Sequence, residues 1–278
     1  SPSPPVRAEV IMGELWKADR ATYAPLLGEA ATSPCRLTQL RQDAIREILV
    51  RHKCYEDDPS KQEEITQQAF DVWATARHDA IPTNMAQHVV ETLTKLRQSL
   101  NNKMDDNVII GAITDGNSDP MRVECLRPFF DFVVNAESVG VGKPDPRVYL
   151  QAMQQVTRTL ADGGDGVYSI QEDQVGSWWV HVGDDFVKDI VAAKNMGMRT
   201  VWARELVQSK TKDDDKALAT KKPERTVEDL VKQVSSLKVV QMQVGAEDYL
   251  AESLREEFAD AVIDSFADLA DVLMEWHA

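Results

Sequence analysis

The sequence predicts an α/β fold, a Rossmann-like parallel sheet core with a helical cap domain before it and an insertion near its C-terminal end. Three observations carry that expectation. Up to about residue 80 the apolar residues recur at helical spacing without a strand-like run. Beyond it, short apolar runs alternate with helical patterns, the rhythm of a parallel sheet wrapped by its crossover helices. Polar motifs then fall where each run gives way to a helix, at the strand ends where such sheets bind ligands.

Taken in order, Ser1-Pro2-Ser3-Pro4-Pro5 reads as an extended loop already under way, and the chain is expected to be incomplete or processed at this end. Leu40, Ala44 and Ile48 share one helical face, and Ile65, Ala69, Val72, Trp73 and Ala76 share another. These helices make residues 1–80 the cap. Ile81-Pro82-Thr83-Asn84 breaks the pattern, and Val89, Val90, Leu93, Leu96 and Leu100 form the stripe of a further helix. The core is expected over 81–206. Its strands are Val108 to Ile113, Phe132 to Val134, Trp178 to Val182 and Thr200 to Ala203, with helices near 120–127, 146–157 and 186–196. Residues 207–257 begin with a charged stretch around Lys210-Thr211-Lys212-Asp213-Asp214-Asp215-Lys216 and read as a loop and peripheral insertion. Ala261-Val262-Ile263 supplies a last strand, with Asp264-Ser265 capping a closing helix, so 258–278 returns to the core.

Composition narrows the function. The 278 residues are 43% apolar and 28% charged, enough for a full core, and the net charge of −15 disfavours nucleic acid and anionic membrane as partners. A small phosphorylated metabolite can still enter through a local positive site. No apolar run is long enough to span a bilayer, and the odd, scattered set Cys35, Cys54 and Cys125 suits a reducing compartment. An intracellular location, cytoplasmic or plastid, is expected.

Three motifs follow in the order a phosphate-handling site needs. Ile113-Thr114-Asp115-Gly116-Asn117 ends a strand in a tight turn, exposing the Thr114 hydroxyl with the backbone N–H groups of Asp115 and Gly116, a nest for phosphate oxygens. In Gly142-Lys143-Pro144-Asp145-Pro146, the proline holds Lys143 extended before Asp145 caps a helix, fixing an ammonium that can offset phosphoryl charge. In His181-Val182-Gly183-Asp184-Asp185, the strand tip carries Asp184 and Asp185, with Asp189 one turn later. Helix capping needs one carboxylate. Three at this spacing repel unless a hard cation joins them, and oxygen ligands at a phosphate site point to Mg2+ held by Asp184, Asp185 and Asp189. His181 alternates with Val180 and Val182 and reads as a core or supporting residue.

Together these motifs resemble the haloacid dehalogenase superfamily of phosphatases, over about Ile81 to Ala203 and again at Asp260 to Ser265. The resemblance implies that Thr114 hydrogen-bonds the phosphoryl group, that Lys143 is the catalytic lysine, that Asp184 and Asp189 support magnesium, and that residues before 80 are the cap over the active site. The stretches Ala112 to Asn117 and Val180 to Asp185 look most like the phosphatases of flavin mononucleotide (FMN) and riboflavin biosynthesis. Trp16, Tyr23, Tyr55 and Trp73 are candidates to stack on a flat ring.

The family's first motif, Asp-x-Asp-x-Thr, supplies nucleophile and general acid, and it does not occur before the cap. Ser1 to Val6 resembles the loop that would follow it, so a strand upstream of residue 1 is expected. Asp115 is a second departure, since relatives usually carry Asn there. The implied reaction is phosphomonoester hydrolysis through an aspartyl-phosphate. A non-catalytic protein binding phosphate or metal and a haloacid dehalogenase remain the alternatives.

Overall fold

The computed structural model describes residues 7–26, 31, 33–101, 108–162, 175–176, 178–204 and 254–276. Ser1 to Val6 and residues 207–253 of the charged loop and insertion expected over 207–257 lie outside these residues. The chain forms two compact units, Ser1–Asn84 with Gly111–Gly142, and Met85–Ile110 with Lys143–Ala278.

In the first unit, helices α1 (Ala8–Ala18), α2 (Arg20–Tyr23), α3 (Leu37–Arg51) and α4 (Pro59–Asn84) precede the parallel pair β1 (Gly111–Thr114) and β2 (Phe132–Asn135). α3 packs against both α1 and α4. Leu40 and Ala44 are buried on α3 as the periodicity predicts, but the inward face of α4 is not the expected one. Val72 is 71% exposed and Ala69 and Ala76 are also outward, while Thr66, Ala74 and His78 are buried. The polar groups of that face are satisfied locally: the Thr66 hydroxyl donates to the Gln62 carbonyl at 2.9 Å, and His78 Nδ1 meets the Ala74 carbonyl at 2.7 Å. An apolar count therefore picks the wrong side.

α4 also runs through Pro82 rather than breaking there. It ends where the Thr83 hydroxyl and the Asn84 amide both donate to the Ala80 carbonyl, at 2.9 and 2.7 Å. The helix expected near 120–127 is two single turns of 3₁₀ type, Pro120–Arg122 and Arg127–Phe129. Pro128 has no N–H with which to continue an α-helix across the second. Gly111 is required at the start of β1 because a Cβ there would stand 2.1 Å from the Phe132 ring of the paired strand.

In the second unit, β3 (Val180–Gly183), β4 (Arg199–Ala203) and β5 (Ala261–Ile263) form a wholly parallel sheet in that spatial order. Alternation along central β4 sends its side chains to opposite faces. Val201 and Ala203 pack with Leu96 of α5 (Val89–Asn101) and Leu269 and Ala270 of a C-terminal helix, Leu269–Trp276. Trp202 packs with Phe186, Ile190, Phe258 and Val262 on the other face. Both faces are covered, which is why these strands read as continuous apolar runs. The strands expected at Val108 to Ile113 and Trp178 to Val182 begin two or three residues later than their apolar runs do. The long helix after Pro146 extends to Asp162, with the Asp145 side chain accepting the Arg147 N–H at 3.0 Å as its cap. Ser265 caps its own turn as expected, accepting from Ala267 N–H. Among the described residues, no helix is long and apolar enough to cross a membrane.

Asp260 ties β5 to the middle of the sheet. Its carboxylate accepts the Thr200 N–H at 2.9 Å and pairs with Lys194 Nζ at 2.6 Å, while the Thr200 hydroxyl donates to the Phe258 carbonyl at 2.6 Å. Asp260→Ala leaves the buried Thr200 N–H without its acceptor and is expected to destabilise the fold by about 1–3 kcal/mol in urea unfolding; a wild-type midpoint would show that the tie is dispensable.

Candidate active site

The end of β3 is shaped around Asp189. Gly183 closes the strand, and a Cβ there would lie 2.3 Å from the Asp189 side chain, so the carboxylate can fold back over the strand end only because residue 183 is glycine. The chain then enters a wide helical turn of π type, Phe186–Val191, which continues into a short α-helix, Ala192–Asn195. Asp185 caps that turn, accepting the Lys188 N–H at 2.9 Å. Its own backbone N–H donates to Asp189 Oδ2 at 3.2 Å.

Lys143 reaches the other oxygen. Its Nζ lies 2.5 Å from Asp189 Oδ1, with the two side chains 12% and 4% exposed. The Lys143–Pro144 peptide bond is cis. His181 Nε2 is 3.4 Å from the same Oδ1, and the imidazole packs edge-on against Tyr149 with ring centroids 5.4 Å apart. The Tyr149 hydroxyl donates to the Lys188 carbonyl and so braces the π turn from below. His181 is thus the supporting residue its strand position predicts. Tyr149 is fully buried, and no sequence signal distinguishes it from an ordinary core aromatic.

Burial raises the Asp189 pKa, but the His181 hydrogen bond and the Lys143 charge act the other way and hold the carboxylate well below its ordinary range. The three carboxylates expected to share one ion, Asp184, Asp185 and Asp189, stand together at this strand end, each with protein contacts of its own. Asp189 spends both oxygens on protein donors, and Asp185 is engaged as the cap of the turn. Among the described residues no three His, Cys, Asp or Glu side chains are arranged to hold a metal. Asp184 stands at the strand tip between them, its backbone carbonyl accepting Trp202 Nε1–H at 3.2 Å. Lys143, Asp184, Asp185 and Asp189 are nevertheless gathered at one strand end of one unit.

Thr114, Asp115 and Gly116 stand at the end of β1 in the first unit. The Gly116 N–H donates to Thr114 Oγ1 at 3.1 Å, so the expected nest is partly closed on itself. A hydroxyl that accepts in this way keeps its own proton to donate. Asp115 lies beside Gly142, where a Cβ would be 3.0 Å from its Oδ1. The loop is held from outside by α3 and α4: Arg41 Nη1 donates to Asn117 Oδ1 at 2.9 Å and Arg77 Nε to Ser118 Oγ at 3.0 Å. The Asp119 N–H donates to His78 Nε2 at 3.1 Å. That fixed donor makes Nε2 the acceptor and Nδ1–H the donor to Ala74. The sequence reading missed Arg41, Arg77 and His78, since single polar positions on long helices carry no local pattern. It also proposed Trp73 as a stacking surface, whereas the Arg41 guanidinium already lies 4.4 Å from the centre of its ring. Tyr23 is buried with its hydroxyl donating to Asp43, so it too presents no open face.

Removing the charge of Asp189 leaves Lys143 buried without its partner. Asp189→Asn is expected to cost about 3–5 kcal/mol of stability in denaturant titration, and Gly183→Ala about 1–3 kcal/mol by forcing the carboxylate aside. The folded-state pKa of Asp189 lies below its unfolded value, so the pair's contribution is complete above about pH 4. It is lost as pH falls towards the folded value. Stability that stays level from pH 6 to 2, or Asp189→Asn equal to wild type, would contradict the assignment.

A family model described as haloacid dehalogenase-like hydrolase matches residues 33–203. The chain is similar to a glyceraldehyde 3-phosphate phosphatase of Pyrococcus furiosus, 29% identical over 38% of this chain and 39% of that protein. It is also similar to a haloacid dehalogenase-like hydrolase domain-containing protein 3 of Xenopus laevis, 39% identical over 29% of this chain and 26% of that one. A pyrimidine 5′-nucleotidase of Escherichia coli is 32% identical over 37% of this chain and 41% of its own length. These matches span no more than about two fifths of the relatives' length. The structure of a 2-haloacid dehalogenase from Pseudomonas syringae pv. Tomato has the same fold, with a TM-score of 0.54 at 22% identity over 99% of this chain and 83% of that one. With the family model covering more than half of its residues, the chain belongs to the haloacid dehalogenase-like hydrolases.

Proposed function

We propose that this chain handles the phosphate in a phosphomonoester hydrolase that acts on a small phosphorylated metabolite. The observation that carries the reading is the Lys143–Asp189 pair at the carboxyl end of β3. A buried ion pair is weak support for stability, since well-packed apolar residues serve as well or better. An ammonium fixed at a strand end serves a reaction in which negative charge collects on phosphoryl oxygens. Two of the relatives are named for phosphate-ester substrates, glyceraldehyde 3-phosphate and pyrimidine 5′-nucleotides, which supports the same class.

In this reading the Thr114 hydroxyl donates to a phosphoryl oxygen and Lys143 offsets the charge of the group under attack. Asp189 fixes the lysine ammonium in place. The attacking carboxylate, which would form an aspartyl-phosphate, is assigned to none of the described residues. Asp184, Asp185 and Asp189 are the residues that would hold a magnesium ion, which would offset negative charge on the phosphoryl group.

The test is phosphate release by the complete open reading frame, with and without magnesium, from a panel including FMN, pyrimidine nucleoside monophosphates and glyceraldehyde 3-phosphate. The expected result is turnover of at least one phosphate ester, with Lys143→Ala lowering kcat by about 10²-fold or more. Phosphate binding without release from any member would leave the non-catalytic alternative. Chloride release from 2-chloropropionate without added metal would replace the phosphatase by a dehalogenase.

A further inference from the structure

We propose that Arg41, Arg77 and Trp73 form a subsite for a second anionic group, so that the preferred substrate is a small phosphomonoester carrying a further negative charge a few bonds from its phosphate. This rests on the phosphate-handling role proposed above for Thr114. In a chain of net charge −15, two guanidinium groups are gathered on one indole, Arg41 at 4.4 Å and Arg77 at 5.7 Å from the centre of the Trp73 ring. Like charges so placed repel. Burial, and after it the Arg77 charge, hold the Arg41 pKa below its ordinary value.

The Glu137 carboxylate, held by the Thr38 N–H, acts the other way on Arg41 but is the weakest of the three influences. Among the described residues, Arg41 and Arg77 hydrogen-bond only neutral groups, the Asn117 carbonyl oxygen and the Ser118 hydroxyl, and neither makes an ion pair. Such bonds orient the guanidinium forks without neutralising them. The ring quadrupole of Trp73 offsets part of the cost and sets both groups along one surface. Arg77 Nη2 comes within 4.0 Å of where a Cβ on Gly116 would stand, and so overlies the turn that presents Thr114. A carboxylate or second phosphate held by two forks beside that turn relieves the repulsion and satisfies the remaining N–H donors. The alternative is that the two arginines only brace the 117–118 loop.

The two roles separate in a binding experiment on the chain as it stands. Calorimetric titration with 3-phosphoglycerate, which has the second charge, is compared with glycerol 3-phosphate, which lacks it. The proposal expects 3-phosphoglycerate to bind at least about tenfold more tightly, and the ratio of the two affinities to shrink to within about threefold in Arg77→Gln and in Arg41→Gln. Arg77→Lys, which keeps the charge but not the fork, is expected to fall between. Arg77 is exposed, so its variants report even where Arg41→Gln fails to fold. Both probes weakened together at an unchanged ratio would mean bracing alone and overturn the subsite. Equal affinity of the two probes for the wild type would overturn the subsite and leave the phosphate-handling role standing. Failure of both probes to bind would overturn the two together.

Discussion

The second unit depends on a single buried carboxylate. Asp189 is reached by Lys143 from before the long helix, by His181 from the neighbouring position on β3 and by the backbone of Asp185 from the strand exit. Its position requires glycine at 183, and the wide turn from Phe186 to Val191 brings its side chain back over the strand end. A charge this deep is tolerable only because each oxygen has a donor. The lysine ammonium is consequently held in one place rather than free on a four-carbon stem.

Charge is distributed in the opposite sense in the first unit. There the loop after β1 is pinned by arginines through neutral acceptors, and the buried face of α4 is built from Thr66, Ala74 and His78 instead of large apolar residues. His78 accepts the Asp119 N–H, so a helix outside the sheet fixes where that loop turns. Two guanidinium groups beside one indole, with no ion pair to a carboxylate among the described residues, contrast with the acidic balance of the whole chain. The contrast is what the proposed anion subsite rests on, in a protein whose net charge repels polyanions at long range.

The sequence made the parallel strands legible because both faces of the second sheet are covered, and continuous apolar runs are the sign of that. Ala261–Ile263 and the turn capped by Ser265 were legible to the residue. The motifs at Thr114, Lys143 and Asp184 were legible because turn residues and strand ends are local. What the sequence hid was partnership at a distance. Three aspartates within six residues look alike on the page, yet one is buried under a lysine 46 positions away and another caps a helical turn. The same holds for Arg41 and Arg77, whose common neighbour Trp73 reads from helical spacing as a core residue and only as one of four stacking candidates. α4 misled for a different reason: polar groups that bond within their own helix can be buried, and periodicity counts only the apolar ones.

The most direct test of the central claim, that Asp189 acts by holding Lys143, is a double-mutant cycle on kcat for phosphate release by the complete protein, with Lys143→Ala, Asp189→Asn and the pair together. Residues that act as one unit lose most of their effect at the first substitution. The account predicts that the double variant is no slower, within about threefold, than Lys143→Ala alone. Losses that multiply, or wild-type turnover in Asp189→Asn, would show that the carboxylate works independently of the lysine and would contradict the account.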